Sequence, residues 1–130
     1  MAGGTFGTVI NCMDGRTQEP ANRFLRDRFA VDFVDVITEA GPIRILSEGY
    51  PEDVLAGIRA RLEISIEGHG SGQLAIVAHE DCAGNPVDKD VQMIQLKKSQ
   101  AVVKDWFPGV DVIGLWIEPV DGVWVVGEVG

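Results

Sequence analysis

Short apolar runs alternate along this chain with longer amphipathic segments. Three runs, at residues 8–12, 33–37 and 74–78, are rich in β-branched residues and mostly uninterrupted. Runs of this kind are typical of strands that are covered on both faces, whereas a half-exposed strand alternates apolar and polar positions. We therefore predict three buried strands that lie parallel in one sheet.

Three segments between and after these runs have the period of amphipathic helices. The first begins near Pro20 and extends to Phe29, with apolar residues at helical spacing. The second begins at Pro51 with two acidic residues in its first turn and ends before the glycines of residues 68–72. The third covers residues 88–106 and ends at a Phe-Pro-Gly sequence. Each helix is expected to cover one face of the sheet.

The end of the chain carries two more apolar runs, at residues 111–116 and 123–126. The connection between them is too short for a helical crossover, so these strands are expected to be antiparallel. Together the elements predict an α/β fold of three layers with a mainly parallel sheet, strand order 2-1-3-4, and a terminal antiparallel strand at the edge. We expect residues 1–130 to form a single domain.

Composition and charge narrow the range of partners. The chain has 130 residues, with 11 basic and 20 acidic side chains, a net charge of −9 and a pI near 4.5. Nucleic acid and anionic membrane surfaces are unfavourable partners, because both are bound by basic patches. No segment has the length or pattern of a signal peptide or a membrane span, so we expect a cytoplasmic protein.

Candidate metal ligands follow two of the predicted strands. Cys12 ends the first strand, and His79 and Cys82 follow the third. If these strands are neighbours, their connections leave in opposite directions, and ligands of open α/β sheets bind at such a switch point. Two cysteines and one histidine are ligands that zinc prefers, and three protein ligands leave a fourth position for water. The sequence leaves two alternatives open, namely buried apolar cysteines and a disulfide.

Two short motifs at this position resemble those of the β-class carbonic anhydrases. One is Cys-x-Asp-x-Arg, formed by Cys12, Asp14 and Arg16, and the other is His-x-x-Cys, formed by His79 and Cys82. Residues of the same types in the same order are found in that family. The two motifs together are fairly specific, whereas either one alone is a weak signal.

The resemblance extends to residues 39–41, where the family carries a similar turn, and to the terminal hairpin, so it covers nearly the whole chain. It implies one zinc ion per chain, bound by Cys12, His79 and Cys82, and a zinc lyase that reversibly hydrates carbon dioxide to bicarbonate through a metal-bound hydroxide. Asp14 would accept a hydrogen bond from that hydroxide, and Arg16 would keep Asp14 ionised.

The resemblance also implies a small-molecule substrate and a homodimer or higher even oligomer. Two alternatives to carbon dioxide hydration remain, namely a zinc hydrolase for COS, CS2 or a similar molecule, and a zinc-binding module without catalysis. A phosphatase-type cysteine loop is excluded, because it needs arginine six residues after the cysteine and Gln18 stands there. His69 lies between two glycines, and we expect it in a solvated loop without a role. The three tryptophans are expected to fill the core and the hairpin faces.

Overall fold

The computed structural model describes residues 3–130 and contains five strands and four α-helices within them. The strands are β1 (Phe6–Cys12), β2 (Phe33–Glu39), β3 (Gln73–His79), β4 (Asp111–Val120) and β5 (Val123–Val129). The helices are α1 (Gln18–Phe29), α2 (Pro42–Glu48), α3 (Glu52–Glu63) and α4 (Lys89–Trp106). No helix of this part of the chain is both long enough and apolar enough to cross a membrane.

All five strands form one sheet in the order β2-β1-β3-β4-β5. β2, β1, β3 and β4 pair in parallel, and β5 pairs antiparallel with β4 at the edge. The predicted fold class and strand order are therefore confirmed. Because β1 and β3 are adjacent, the chain segments that follow Cys12 and His79 emerge side by side at the carboxyl edge of the sheet.

Helices cover the two faces of the sheet unequally. On one face α2, α3 and α4 bury a large apolar core that includes Ile10, Ile76 and Leu96. On the other face α1 alone packs its Ala21 and Leu25 against the strands. The alternation of side chains along each strand supplies both cores, which explains why the central strands are mostly apolar.

The terminal hairpin is longer than predicted, because β4 and β5 continue to a two-residue turn at Asp121 and Gly122. Both turn residues have positive φ values, which is the backbone of a tight hairpin turn that asparagine, aspartate and glycine favour. Pro119 does not end β4, because it lies beyond Ile117, the last residue that pairs with β3. A proline is tolerated there since no neighbouring strand needs its missing N–H.

The sequence analysis missed helix α2, which has only seven residues. Gly41 precedes it with a φ of 65°, Pro42 occupies its first turn, and Gly49 ends it in a left-handed conformation. A proline at the start and a glycine at the end are signals for a helix. With only Ile43 and Leu46 as buried apolar positions, the segment is too short for a helical period to stand out.

His69 lies in a loop with its side chain partly exposed to solvent, as predicted, but two contacts that were not predicted fix its position. Its Nδ1 atom lies 2.6 Å from Oδ2 of Asp35, and its ring stacks on Phe6 with 4.2 Å between centroids. The residue follows a π-helical turn, Ile64–Gly68, that continues α3. We call the group around it the amino-end cluster, because it lies near the amino ends of the strands, and it consists of Thr8, Asp35, Ser65, His69 and Ser71.

Candidate metal centre

The three predicted metal ligands meet at the carboxyl edge of the sheet. Cys12 is the last residue of β1, His79 is the last residue of β3, and Cys82 follows in the loop after β3. β1 connects through α1 to β2 on one side, and β3 connects through α4 to β4 on the other side. The ligands therefore lie at the switch point of the sheet, as predicted.

The ligand atoms of Cys12, His79 and Cys82 all lie within 4.8 Å of one another. All three residues are buried. The two sulfur atoms are 3.8 Å apart, so the cysteines are free thiols and the disulfide alternative does not hold in this structure. Two sulfurs bound to one tetrahedral zinc at the usual bond length are also separated by about 3.8 Å. The pair is therefore spaced to share one zinc ion.

The histidine of this centre is oriented by its own backbone neighbour. Nδ1 of His79 lies 2.7 Å from the carbonyl oxygen of Glu80, which assigns the ring proton to Nδ1. Nε2 then carries a lone pair, yet within the described chain it is buried without a hydrogen-bond partner. A buried polar atom without a partner is unfavourable, and a metal ion satisfies a histidine nitrogen in this state.

Proton sharing among the three groups favours loss of a proton from Cys12. The Cys82 thiol donates a hydrogen bond that lowers the pKa of Cys12, and the backbone N–H of Gly41 lowers it further. The same contact with Cys12, together with burial, raises the pKa of Cys82. Burial lowers the pKa of His79, but Cys12 and the Glu80 carbonyl outweigh that effect and raise it. A metal cation at this position would replace the protons that these groups share, because metal ions bind thiolates and neutral imidazole.

Asp14 and Arg16 form an ion pair immediately beside the two thiols. The Arg16 side chain donates to both carboxylate oxygens, with Nη2 to Oδ2 at 2.7 Å and Nε to Oδ1 at 3.0 Å. The backbone N–H of Arg16 also donates to Oδ1, at 2.9 Å. These bonds, the side-chain ones above all, lower the pKa of Asp14 to about 2. The carboxylate is therefore ionised at neutral pH and able to accept a hydrogen bond.

Residues other than the five named motif residues hold Arg16 and its loop in place, and the sequence analysis did not single them out for this. The guanidinium lies over the Trp124 ring, 4.5 Å from its centroid, so the terminal hairpin contributes to the site. It also donates to the Asp81 carboxylate at 3.2 Å and to the Asp81 carbonyl at 3.1 Å. Gln18 fixes the same loop by donating to the carbonyl oxygens of Cys12 and Asp14. No local pattern reveals these contacts, because each one joins separate elements or bends back within a loop.

Two loops that carry or border the ligands touch through glycines. A Cβ atom at Gly84 would lie 2.6 Å from the carbonyl carbon of Ala40, and one at Gly41 would lie 2.8 Å from Cβ of Asn85. Real Cβ atoms do not approach other atoms this closely. The loop after β2 and the loop after β3 are thus in backbone contact. This contact holds the loop that carries Cys82 against the loop that borders Cys12.

The fold and the site together define a class of protein. This is an α/β protein in which a buried cluster of two cysteines and a histidine lies at the switch point of the sheet, next to an aspartate–arginine pair. A family model described as "Putative carbonic anhydrase" matches residues 2–129. The chain therefore belongs to that carbonic anhydrase family. A comparison with curated protein sequences gives no match.

Solved structures of β-carbonic anhydrases share the fold. Isoform I from the protozoan Trichomonas vaginalis is 22% identical, with a TM-score of 0.60 over 93% of this chain and 80% of that one. The carbonic anhydrase from Streptococcus mutans is 18% identical, with a TM-score of 0.62 over 95% and 81%. A pair of tetrameric enzymes from Sordaria macrospora gives 15% identity and a TM-score of 0.54 over 98% and 82%. At these identities the likeness concerns the fold.

Proposed function

We propose that this protein is a zinc lyase that reversibly hydrates carbon dioxide to bicarbonate. The observation that carries the proposal is the buried cluster of Cys12, His79 and Cys82 with the Asp14–Arg16 pair beside it. The family of the chain supports the same reaction. Cys12, His79 and Cys82 would hold one zinc ion per chain, and residues 1–130 would act as a single domain.

Zinc bound at this centre would supply a Lewis acid that lowers the pKa of a water molecule toward about 7. Asp14 would accept a hydrogen bond from that water and so orient its oxygen toward the carbon of the substrate. Arg16 holds the Asp14 carboxylate ionised and in place through the three bonds described above. The overall reaction would consume one carbon dioxide and one water and would give bicarbonate and a proton, which would pass to solvent.

The engagement of both Asp14 oxygens by Arg16 favours catalysis over a purely structural zinc site. Asp14 would close the metal to water if it bound as a fourth protein ligand. Its bonds to Arg16 direct both of its oxygens to the guanidinium instead. The alternative substrates COS and CS2 use the same attack of water oxygen on a linear carbon compound. They are therefore compared directly with carbon dioxide in the test below.

The test is stopped-flow carbon dioxide hydration by zinc-loaded protein from neutral to alkaline pH, with zinc content measured on the same samples. We expect activity in the wild type and its loss, together with the zinc, in Cys12→Ser. Bound zinc with no turnover of carbon dioxide would contradict the proposal. Turnover of COS or CS2 in that case would assign the site to the second substrate class, and no turnover of any of the three would assign it to a zinc module without catalysis.

We also propose a homodimer or higher even oligomer in the cytoplasm. The edge strand β2 exposes Phe33 and Val36, and an exposed apolar edge is commonly covered by a partner. The similar enzymes from Sordaria macrospora are described as tetrameric. Two free thiols 3.8 Å apart are compatible with a reducing compartment, where a disulfide does not form. Sedimentation of a 14.0 kDa species at micromolar concentration would contradict the oligomer.

A further inference from the structure

Helix α4 carries a row of polar side chains on the side that faces the metal centre. Gln92, Gln95 and Ser99 lie three and four residues apart, so they share one face of the helix. Gln92 and Ser99 are buried among apolar neighbours such as Leu96 and Val103. Buried polar side chains on an apolar helix face are retained only where they are hydrogen-bonded. Each residue of this row bonds to a different loop or element around the metal ligands.

The Gln92 side chain bonds to both backbone polar groups of His79, a candidate metal ligand. Its Oε1 atom accepts from the His79 N–H at 3.3 Å, and its Nε2 atom donates to the His79 carbonyl at 2.8 Å. The side-chain amide thus pairs with the main chain of the ligand as a neighbouring strand would. The pair fixes the end of β3 and therefore the position from which the imidazole extends.

Gln95 holds the loop that carries Cys82. The Nδ2 atom of Asn85 donates to Oε1 of Gln95 at 2.6 Å, and the backbone N–H of Asn85 donates to the Cys82 carbonyl at 3.2 Å. Asn85 is almost completely buried and contacts Gly41 closely. The contact from α4 therefore reaches the second cysteine through one intermediate residue.

Ser99 holds the start of α2, close to the loop that borders Cys12. Its hydroxyl donates to the carbonyl oxygen of Ile43 at 3.1 Å, in the first turn of α2. That turn begins directly after Gly41, which packs against Gly84 and Asn85. The three polar residues therefore hold three chain segments that surround the ligand cluster.

We propose that Gln92, Gln95 and Ser99 of α4 are positioning residues that preset the spacing of the metal ligands before the ion binds. This inference rests on the proposed function, because it requires that the chain binds zinc. A site held in its final geometry binds more tightly, since less ordering of the loops accompanies binding. Residues that orient metal ligands typically contribute 10- to 100-fold to metal affinity.

Gln95→Leu is the main test variant, because Gln95 is only partly buried and its replacement does not empty the core. Gln100→Leu is the matched control. Gln100 lies on the same helix with similar burial, and its side chain lies over Gly114 of β4 rather than against the segments around the ligands. Zinc affinity is measured on metal-free protein by competition with a chromophoric chelator. We expect about a 10-fold loss for Gln95→Leu, in line with other residues that orient ligands, and an unchanged affinity for Gln100→Leu.

Gln95→Glu separates positioning from general stability. A glutamate keeps the oxygen that accepts the 2.6 Å bond from Asn85, so we expect it to restore most of the affinity. The absorption bands of the cobalt-loaded chain give a second readout, because their intensity reports how closely the ligands approach a tetrahedron. A merely structural role would lower the melting temperature of the metal-free protein and leave the affinity and the cobalt bands of the folded protein unchanged.

Gln92→Leu and Ser99→Ala extend the test to the other two segments, with the larger loss expected for Gln92. Wild-type protein that binds zinc, with all three variants equal to Gln100→Leu, would overturn this inference and leave the proposed function intact. Wild-type protein that binds no zinc would overturn both. A graded loss in the three variants, with recovery in Gln95→Glu, would support the inference.

Discussion

The two histidines of this chain lie near opposite ends of the same sheet, and comparison of their surroundings separates a binding site from a structural one. His79 stands at the carboxyl edge between two thiols, and His69 stands near the amino ends beside Asp35 and three hydroxyl groups. In both residues the Nδ1 atom makes a short hydrogen bond, at 2.7 Å to the Glu80 carbonyl and at 2.6 Å to the Asp35 carboxylate.

The two sites differ in which polar atoms have partners. Nε2 of His79 is buried without a partner, whereas the ring of His69 is partly exposed to water. In the amino-end cluster the Ser65 hydroxyl lies 2.6 Å from both the Asp35 carboxylate and the Thr8 hydroxyl. That cluster satisfies itself, so it requires no ligand. Short hydrogen bonds and polar residue types are therefore common to both histidines, whereas a buried Nε2 atom without a partner, next to two thiols, distinguishes His79.

Removal of each histidine gives the largest contrast. We expect His79→Ala to lower zinc affinity by at least about 100-fold, because a lost ligand affects the ion more than a lost neighbour of a ligand. His69→Ala is expected to bind zinc as the wild type does. Chelator competition on the two metal-free variants measures both values. Equal losses would show that the amino-end cluster also acts on the metal centre.

Each site also contains a carboxylate, and these carboxylates provide the next contrast. We expect Asp14→Asn to reduce carbon dioxide hydration by about 100-fold at unchanged zinc content. An amide oxygen accepts a hydrogen bond from water less strongly than an ionised carboxylate does. Asp35→Asn is the matched control at the other end of the sheet and should keep the wild-type rate. Retention of activity in Asp14→Asn would remove that residue from the proposed reaction.

The amino-end cluster is expected to respond to mutation in stability instead. Ser65→Ala removes the hydroxyl that connects Thr8, Ser71 and Asp35, and it leaves buried polar atoms without partners. We expect the free energy of unfolding to fall by about 2 kcal/mol, with zinc affinity of the folded protein unchanged. Urea unfolding of the metal-free chain measures the first quantity. Unchanged stability and weaker zinc binding in Ser65→Ala would show that the amino-end cluster acts on the metal centre and not on the stability of the fold.

Mutation of Trp124 tests whether the terminal hairpin contributes to the proposed reaction. Trp124→Leu removes the ring under the Arg16 guanidinium, a contact of about 1 kcal/mol at a partly exposed site. We therefore expect carbon dioxide hydration to fall about 5-fold. Trp106→Leu is the control, because that ring also lies under an arginine, with Arg59 at 5.3 Å, but on helix α4. Equal rates in both variants would exclude Trp124 from the site.

The smallest expected effect concerns acid stability. The pKa of Asp14 is about 2 in the folded chain and has an ordinary value near 3.8. A lowered pKa stabilises the fold fully above pH 4, and this stabilisation is lost as pH falls toward 2. Because Arg16 is partly exposed, solvent screening limits the effect to about 1 kcal/mol. The stability difference between wild type and Asp14→Asn should therefore shrink between pH 4 and pH 2, and a constant difference would contradict this cause.

The fold was predictable from sequence because the elements that form it carry strong periodic signals. Buried strands such as β1 and β3 are mostly apolar, and α4 has a clear start at Asp88, whose side chain accepts from the Val91 N–H. Helix α2 was missed because seven residues hold too few apolar positions. The hairpin was predicted, but with strands that are too short. Pro119 suggested a loop, whereas it lies in the part of β4 that pairs only with β5.

The proximity of the candidate metal ligands was predictable for a different reason. Cys12 and His79 end adjacent parallel strands, so their proximity follows from the topology once the strands are known. The contacts of Trp124 with Arg16 and of Gln92 with His79 depend on how separate elements pack, and no local pattern encodes them. The contacts of His69 were missed because the glycines beside it suggest a flexible loop, and because its partner Asp35 lies far away in the sequence, on strand β2.

The wide separation of the two cysteines in the chain has a consequence for unfolding. Cys12 and Cys82 are 70 positions apart, and an ion held by both thiolates would tie the ends of that segment together. Because these ligand atoms meet only in the folded chain, an ion that they hold would bind the folded form preferentially and stabilise it by an amount that rises with the concentration of free metal. The ion would thus act as a reversible cross-link, which a chelator removes without breaking a covalent bond. The resistance of the protein to heat would then depend on metal supply as much as on its apolar core.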